Sequence, residues 1–181
     1  MSNPVELWFR VSGPPTAQEA VLDLLIRNAD DQFTEPQVRA ELALPRSTVS
    51  VALATLVREG VVRMDRVGRS GLYSASTKDP LVRQLKIARA VRAVQIALAP
   101  VAESIDLAIL FGSASRGENH AGSDVDVLIV TSETDRVSDA VAGYLWMQPI
   151  VMPSSRHMAM LAENTTLATE TAKGIRILER R

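Results

Sequence analysis

Two aspartates in the second half of the chain, Asp124 and Asp126, are separated by a single residue and so lie two positions apart. In a β-strand, side chains two positions apart project from the same face. Two carboxylates on one face can share a hard cation, and Mg²⁺ prefers carboxylate, phosphate and water oxygens. The pair therefore indicates a metal site, although an Asp-x-Asp pair taken alone is also common in surface turns that bind nothing.

A bend of small residues, Gly112 and Ser113, precedes the pair and follows the apolar run Leu107 to Phe111. Glycine lets the backbone approach a phosphate closely, and a serine hydroxyl can donate a hydrogen bond to it. A helix that starts after the bend would add free amides. A phosphate-binding bend beside two aspartates is a coherent arrangement for a metal-bound nucleotide.

These features occur together in Ile105 to Thr131, IDLAILFGSASRGENHAGSDVDVLIVT, where the final strand is predicted over Asp124 to Val130. The stretch resembles the polymerase-beta-like nucleotidyltransferases, especially the minimal ones of bacteria and archaea, over roughly residues 95 to 180. The resemblance implies a mixed sheet flanked by helices and a site that binds Mg²⁺ and a nucleoside triphosphate. It assigns Asp124 and Asp126 to the metal and to catalysis, and it assigns the triphosphate to Gly112, Ser113 and Arg116.

In active relatives, a third carboxylate on a neighbouring strand completes the site and helps to activate the attacking hydroxyl. The corresponding strand here is Met147 to Met152, MQPIVM, whose only polar side chain is Gln148. A neutral amide cannot accept a proton at pH 7. We therefore expect slow or absent transfer, which leaves open whether the protein is an enzyme, and we expect no replacement from Asp135 or Asp139 in a predicted loop and helix.

Three helix patterns with clear starts occupy the first half. Thr16 with Glu19, and Thr34 with Gln37, fit the capping box, in which each side chain satisfies the other residue's backbone amide. The third helix is predicted over Arg46 to Arg58. Its apolar residues recur at helical spacing and predict one buried stripe, which leaves a polar surface at its start. The stripe is Val49, Leu53, Leu56 and Val57, and the surface is Arg46, Ser47, Thr48 and Ser50.

Two short strands, Val61 to Arg66 and Gly71 to Ser76, are predicted around the turn 67–70. The order of three helices and a basic hairpin, with the stretch LALPRSTVSVALATLVREGVV, resembles the winged helix-turn-helix of bacterial and archaeal transcription regulators. The resemblance implies a homodimer on double-stranded DNA, with the third helix in the major groove. The implied DNA contacts are Arg46, Ser47, Thr48, Ser50, Arg66 and Arg69. The alternative is a module that binds only proteins, with solvated arginines.

A long helix without acidic residues or glycine is predicted from Pro80 to Pro100. Its basic residues recur every three positions, so they spiral around the helix, and we interpret them as solvated charges: Arg83, Lys86, Arg89 and Arg92. The resulting α+β organisation has three parts. They are a winged helix-turn-helix (1–78), a linker helix (79–101) and a nucleotidyltransferase-like domain (102–181). An earlier segment, Val5 to Ser12, could add a strand or a dimer contact.

The composition of the 181 residues fits a folded protein, with 46% hydrophobic and 23% charged residues and a net charge of −1. The absence of cysteine excludes disulfides and thiolate metal sites. No signal peptide and no run of ~20 apolar residues is found, so we expect a cytoplasmic protein without a membrane partner. The sequence favours a DNA-binding regulator with a degenerate nucleotidyltransferase-fold domain for nucleotide sensing or assembly. The alternatives are an active Mg²⁺-dependent enzyme that transfers a nucleotidyl group to a protein or small molecule, as antitoxin-type relatives do, and a scaffold without ligands.

Overall fold

The structure is a computed structural model that describes residues 16–180, and the chain divides into two compact units, Met1–Lys86 and Ile87–Arg181. The segment Val5 to Ser12 and its predicted role lie outside the described residues. The three-part division of the chain stays a prediction. Between residues 16 and 180, no single helix is long and apolar enough to cross a membrane. Helices Glu35–Leu42 and Arg46–Arg58 pass such a test only as a pair, and they are bent by 117°.

The first unit consists of three helices and a small sheet. Both capping boxes are confirmed, since the hydroxyl of Thr16 accepts from the amide of Glu19 and that of Thr34 from the amide of Gln37. The predicted bounds of the third helix are confirmed as well. The elements are α1 (Ala17–Arg27), β1 (Phe33–Thr34), α2 (Glu35–Leu42), α3 (Arg46–Arg58), β2 (Arg63–Val67), β3 (Ser70–Ser74) and the first turns of α4 (Pro80–Leu98).

The hairpin is tighter than the sequence predicted, because β2 extends to Val67 and β3 starts at Ser70. Gly68 has φ +61°, the left-handed conformation that the first position of a two-residue hairpin loop favours. The sheet also has a third strand that the sequence analysis missed, since β1 pairs with β3 through Phe33–Tyr73 and Thr34–Leu72. The hairpin is therefore joined to the start of α2.

The core of the first unit lies where the three helices pack against the hairpin. Val49, Leu53 and Leu56 of the predicted stripe are fully buried, whereas Val57 is half-buried at its edge. They pack with apolar side chains of α1, α2 and the start of α4, in a cluster that includes Val21, Leu24, Leu25, Val38 and Val82. This packing fixes α3 and leaves its opposite face in solvent.

Asp30 joins the loop after α1 to the chain that leads into α4. Its carboxylate accepts hydrogen bonds from the Ser76 hydroxyl at 3.0 Å, the Thr77 amide at 3.1 Å and the Thr77 hydroxyl. Burial raises the pKa of Asp30, but these hydrogen bonds and the charge of Lys86 outweigh it, so the pKa lies below its usual value. Lys86 is buried, which corrects the interpretation of all four helix cations as solvated charges.

Replacing Asp30 with Asn should lower the free energy of unfolding by about 1 kcal/mol at pH 7, because three donors lose a charged acceptor. The folded-state pKa of Asp30 is depressed, so its contribution is complete above the unfolded pKa of ~3.9 and is lost as the pH falls through the folded value. Urea unfolding at pH 7 and at about pH 3 measures the difference. Asp31→Asn, at an exposed neighbour, is the control and should change stability by less than about 0.5 kcal/mol. Equal stability of Asp30→Asn and the wild type at pH 7 would contradict the prediction.

The second unit is an α/β domain built on a four-stranded mixed sheet, in agreement with the expected fold. After α4, a 3₁₀ helix (Ala99–Ser104) leads into the sheet. The predicted strands 107–111 and 147–152 are confirmed. The elements are β4 (Leu107–Phe111), α5 (Gly112–Ser115), β5 (Val125–Val130), α6 (Thr134–Val141), β6 (Met147–Met152), α7 (Ser154–Ala162), α8 (Thr166–Ala172) and β7 (Ile175–Glu179).

The strand order is β6-β5-β4-β7, in which β5 and β6 are parallel and the other pairs are antiparallel. The sequence Gly174 to Leu178 predicts a final edge strand, and the structure places this edge strand one residue later, at Ile175–Glu179. Strand β5 begins at Val125, so Asp124 lies just before the strand and not inside it. Both correct the predicted bounds by one residue.

The two faces of this sheet carry separate cores. Val125, Val127 and Ile129 pack on one face with apolar residues of α4 and α6. Leu128 and Val130 pack on the other with Met160 of α7 and Ala168 of α8. Asp126 belongs by its period to this second face. The apolar side chain of Met158 predicts a position in the core, but this residue is exposed on α7.

Candidate functional site

The carboxylate of Asp126 lies against the backbone of Gly112. A Cβ atom on residue 112 would overlap Oδ2 of Asp126 and would lie 3.2 Å from its Cγ. Gly112 has φ +70°, a conformation that L side chains rarely adopt. The approach is set by the sheet, because Asp126 pairs with Phe111, the last residue of β4. The Gly-Ser bend and the aspartate pair, predicted to act together, are thus adjacent in the fold.

The two aspartates place uncompensated negative charge beside this bend. Burial raises the pKa of Asp126, and the charge of Asp124 raises it further, so the carboxylates lie close enough to interact. Asp124 is exposed and Asp126 half-buried, which leaves oxygens of both accessible. A divalent cation would relieve the repulsion, and two carboxylates are ligands that Mg²⁺ prefers. These residues fit a Mg²⁺ ion, which would supply charge neutralisation to a bound triphosphate. We refer to Gly112, Ser113, Asp124 and Asp126 as the acidic site.

Gln148 lies next to Asp126 in the sheet. The two residues are in register on the parallel strands β5 and β6, so their backbones are about 4.8 Å apart. They share a face, because Ile150 and Met152, which follow Gln148 at even spacing, pack in the same core as Leu128 and Val130. The sequence identified Gln148 as the one polar side chain of this strand, and the structure aligns it with the second aspartate.

The bend continues into a helix of only four residues, α5. The hydroxyl of Ser115 donates to the carbonyl of Gly112 at 2.8 Å. The carbonyl of Ser113 accepts from the amides of Arg116 at 3.1 Å and Glu118 at 3.0 Å. Ser113 is half-buried in this helix. These bonds fold the chain back after the bend and fix its shape.

Arg116 forms ion pairs with two carboxylates. Its guanidinium lies 2.9 Å from Glu118 and 3.8 Å from Glu170 on α8. The hydrogen bond to Glu118, with the charges of both glutamates, raises the pKa of Arg116 and outweighs the opposing effect of burial. The arginine therefore ties the bend to α8. Its expected contact with a phosphate stays a prediction.

Four other ionisable side chains of this unit lie on α6, on α7 and in the loop before Asp124. Asp135 and Asp139 are exposed on α6, and His157 is half-buried on α7. His120 lies in the loop before Asp124, where its amide donates to the hydroxyl of Ser123. Within residues 16–180, no group of three or more His, Cys, Asp or Glu side chains could hold a metal ion. In the described chain, the metal donors of the acidic site are therefore two carboxylates.

Gly112→Ala should displace the Asp126 carboxylate and weaken Mg²⁺-ATP binding by about tenfold or more, a typical effect of disturbing a metal ligand's support. Gly122→Ala is the matched control. It has φ +82° and open space around its Cβ position, so it carries the same backbone strain of about 1–2 kcal/mol without the overlap. Calorimetric titration and urea unfolding of both variants separate the two effects. Equal affinities in the two variants would show that the overlap does not matter.

The start of α3 presents the polar surface that the sequence predicted. The Arg46 side chain is 80% exposed. Ser47 and Ser50 are exposed, and Thr48 is half-buried. Val51, on the same outward face, is 68% exposed. Ser47 and Thr48 line a shallow depression of about 360 Å³ together with Val51, Thr55 and residues of α1.

A second cavity, of about 480 Å³, lies between the starts of α2 and α3 and the hairpin. It is lined by both Arg46 of α3 and Arg69 of the hairpin loop. The sequence analysis predicted that both residues contact DNA, and the structure shows that they line the same cavity. Arg66 is exposed on β2 and is not among the lining residues. We refer to this cavity as the basic groove, lined by Thr34, Glu35, Pro36, Arg39, Arg46, Arg69, Ser70, Gly71 and Tyr73.

The sequence analysis predicted only Arg46 and Arg69 of the residues that line the basic groove, and those it missed include Glu35, Arg39 and Tyr73. Glu35 accepts a hydrogen bond from Nε of Arg46 at 3.3 Å. Tyr73 lies across Gly71, since a Cβ there would be 3.3 Å from its hydroxyl. The available signal was weak, because one basic residue on α2 and one tyrosine on a strand do not identify a groove before the hairpin is placed.

Comparison with known families gives a match in each unit. Residues 20–66 match the IclR helix-turn-helix domain, and residues 98–161 match the Nucleotidyltransferase domain. A comparison with curated proteins finds no match to the chain. The matched ranges contain α1 to most of β2 in one unit and the acidic site with Gln148 in the other. The suspected combination of the two domain types is confirmed.

Proposed function

Because the chain combines a helix-turn-helix domain with a nucleotidyltransferase domain, we propose that it is a transcription regulator whose second domain binds a magnesium nucleotide without transferring it. The helix-turn-helix implies DNA binding. The observation that carries the finer proposal is the alignment of Gln148 with Asp126 on parallel strands. This alignment puts a neutral amide beside the paired carboxylates.

The absence of a third carboxylate at this position argues against transfer. An attacking hydroxyl must lose its proton as it bonds to the α-phosphorus and pyrophosphate leaves. A positioned base typically contributes 10²–10⁴-fold to such a step. The amide of Gln148 can orient a hydroxyl or a water through hydrogen bonds, but it cannot take the proton. Gly112, Ser113 and the two aspartates would still bind the nucleotide, so the site is suited to sensing.

The DNA-binding surface is the start of α3 with the hairpin. Arg46, Ser47, Thr48 and Ser50 would face the major groove, and Arg66 and Arg69 would contact phosphates. The exposed side chain of Val51 can make apolar contacts, for example with a thymine methyl group, but it cannot form hydrogen bonds with a base. A homodimer in the cytoplasm is part of the proposal, because two-fold symmetry matches duplex half-sites.

The first test is DNA binding. The full chain should retard fragments of a genomic pool, with an affinity that falls steeply between about 50 and 200 mM salt as phosphate contacts are screened. Arg46→Ala and Arg69→Ala should each weaken binding, by about 1–3 kcal/mol where a base contact is lost. Arg58→Ala, in the last turn of the same helix, is the control. Absent or salt-insensitive binding would favour a protein-pairing module instead.

The second test concerns the nucleotide. We expect calorimetric binding of ATP with Mg²⁺ that Asp126→Asn abolishes, and pyrophosphate release by the wild type no faster than the background rate measured without protein. Gln148→Glu restores a carboxylate beside Asp126 and should raise pyrophosphate release by about tenfold or more, with water or the protein as acceptor. Gln95→Glu, at an exposed position of α4, is the matched control.

The outcomes distinguish three hypotheses for the second domain: an active enzyme, a nucleotide sensor and a scaffold without ligands. Pyrophosphate release by the wild type, lost in Asp124→Asn, would establish the active enzyme. Binding without release supports the sensor. No heat with any nucleoside triphosphate would leave a scaffold, and a Gln148→Glu variant as inactive as Gln95→Glu would show that Gln148 does not occupy the missing position.

A further inference from the structure

Arg39 points to a function of the basic groove that the helix-turn-helix match does not assign. It lies on α2, outside the recognition helix and the hairpin, and it lines the groove with Arg46 and Arg69. Its Nε atom is buried and has no hydrogen-bond partner among the described residues. Buried N–H groups in folded proteins are nearly always satisfied, and Arg39 lines a cavity, so its guanidinium group is a candidate donor to an acceptor that the described residues do not supply.

The other lining groups suit an anion. Three guanidinium groups line the groove with one carboxylate, Glu35, and the hydroxyls of Ser70 and Tyr73 can add further donors. The guanidinium group is a planar fork of N–H donors whose geometry matches phosphate oxygens. The groove is open to solvent between the start of α3 and the hairpin loop. Its donors can therefore reach a phosphate that is part of a larger molecule.

We propose that the basic groove holds one phosphate group between Arg39, Arg46 and Arg69, and that this phosphate is a phosphodiester of the DNA backbone. The proposal rests on the proposed function, because the groove lies between the two elements expected to contact DNA. A free phosphate ion offers the same chemistry, and the test separates the two sources. Arg39 would then be a DNA-contact residue on α2, a helix for which the sequence analysis predicted no DNA contact.

Glu35 has a defined part in this site. Its carboxylate pairs with Nε of Arg46 at 3.3 Å, with the glutamate side chain 22% exposed and the arginine 80% exposed. The pair orients Arg46 along the groove wall before a ligand binds. The same carboxylate repels a phosphate and competes with it for Arg46. Glu35→Gln should therefore strengthen phosphate binding, the opposite of what a supporting residue would do.

The experiment measures the affinity of the full chain for a genomic fragment recovered by binding, as a function of salt. Arg39→Gln should weaken binding by about tenfold at 100 mM salt and reduce the slope of log affinity against log salt by about 1, the effect of one lost phosphate contact. Arg58→Gln is the control for charge and should leave the slope unchanged. Arg39→Lys keeps the positive charge but lacks the planar guanidinium group, so its affinity for the fragment should lie between those of the wild type and Arg39→Gln. Glu35→Gln should bind more tightly than the wild type.

Thermal unfolding confirms that each variant is folded before its affinity is read. If the wild type fails to bind any fragment, the proposed function itself is wrong. If the wild type binds with a clear salt dependence and Arg39→Gln behaves like Arg58→Gln, only the phosphate site is wrong. Calorimetry with inorganic phosphate identifies the source: heat that Arg39→Gln abolishes assigns the groove to a free ion and overturns the backbone assignment, and absence of heat supports the backbone.

Discussion

The carboxylate of Asp126 occupies space that any side chain at position 112 would fill. This single steric constraint holds the second unit's chemistry together. The pairing of Phe111 with Asp126 in the sheet brings the Gly-Ser bend close to the aspartate pair. At this distance, only glycine fits at position 112 without displacing the carboxylate. The rest of the domain, with a core on each sheet face, keeps β4 and β5 in the one register that allows the contact.

The same register decides the chemistry. It aligns Asp126 with Phe111 on one side and with Gln148 on the other. The negative charge of the site is therefore concentrated on two residues, and a neutral amide stands beside them. Burial raises the pKa of Asp126 and the charge of Asp124 raises it further, and a cation in the site would relieve the repulsion between the two carboxylates. Under the proposed function, the two carboxylates would bind the metal of a nucleotide, and the neutral amide beside them could not accept a proton.

The sequence predicted element types well wherever local signals decide them. The capping hydroxyls of Thr16 and Thr34 marked two helix starts, and the apolar run of β4 marked its strand. Contacts between residues that are far apart in the sequence could not be predicted from such local signals. The pairing of β1 with β3, the burial of Lys86 and the pairing of Arg116 with Glu170 each depend on segments more than 30 residues apart or on the packing of whole helices. The same holds for Arg39, whose position in the basic groove depends on where the hairpin folds.

Thr34 has two structural roles, as the residue that caps α2 and as a member of the strand that pairs with the hairpin. The hairpin is therefore joined to the start of α2 by backbone pairing, which restricts its movement relative to that helix. Under the proposed function, a hairpin held in this way adapts little to the width of the DNA groove, so the duplex must supply the adjustment. Sequences with easily deformed pyrimidine–purine steps between the contacted positions would then be preferred, even where no side chain touches a base.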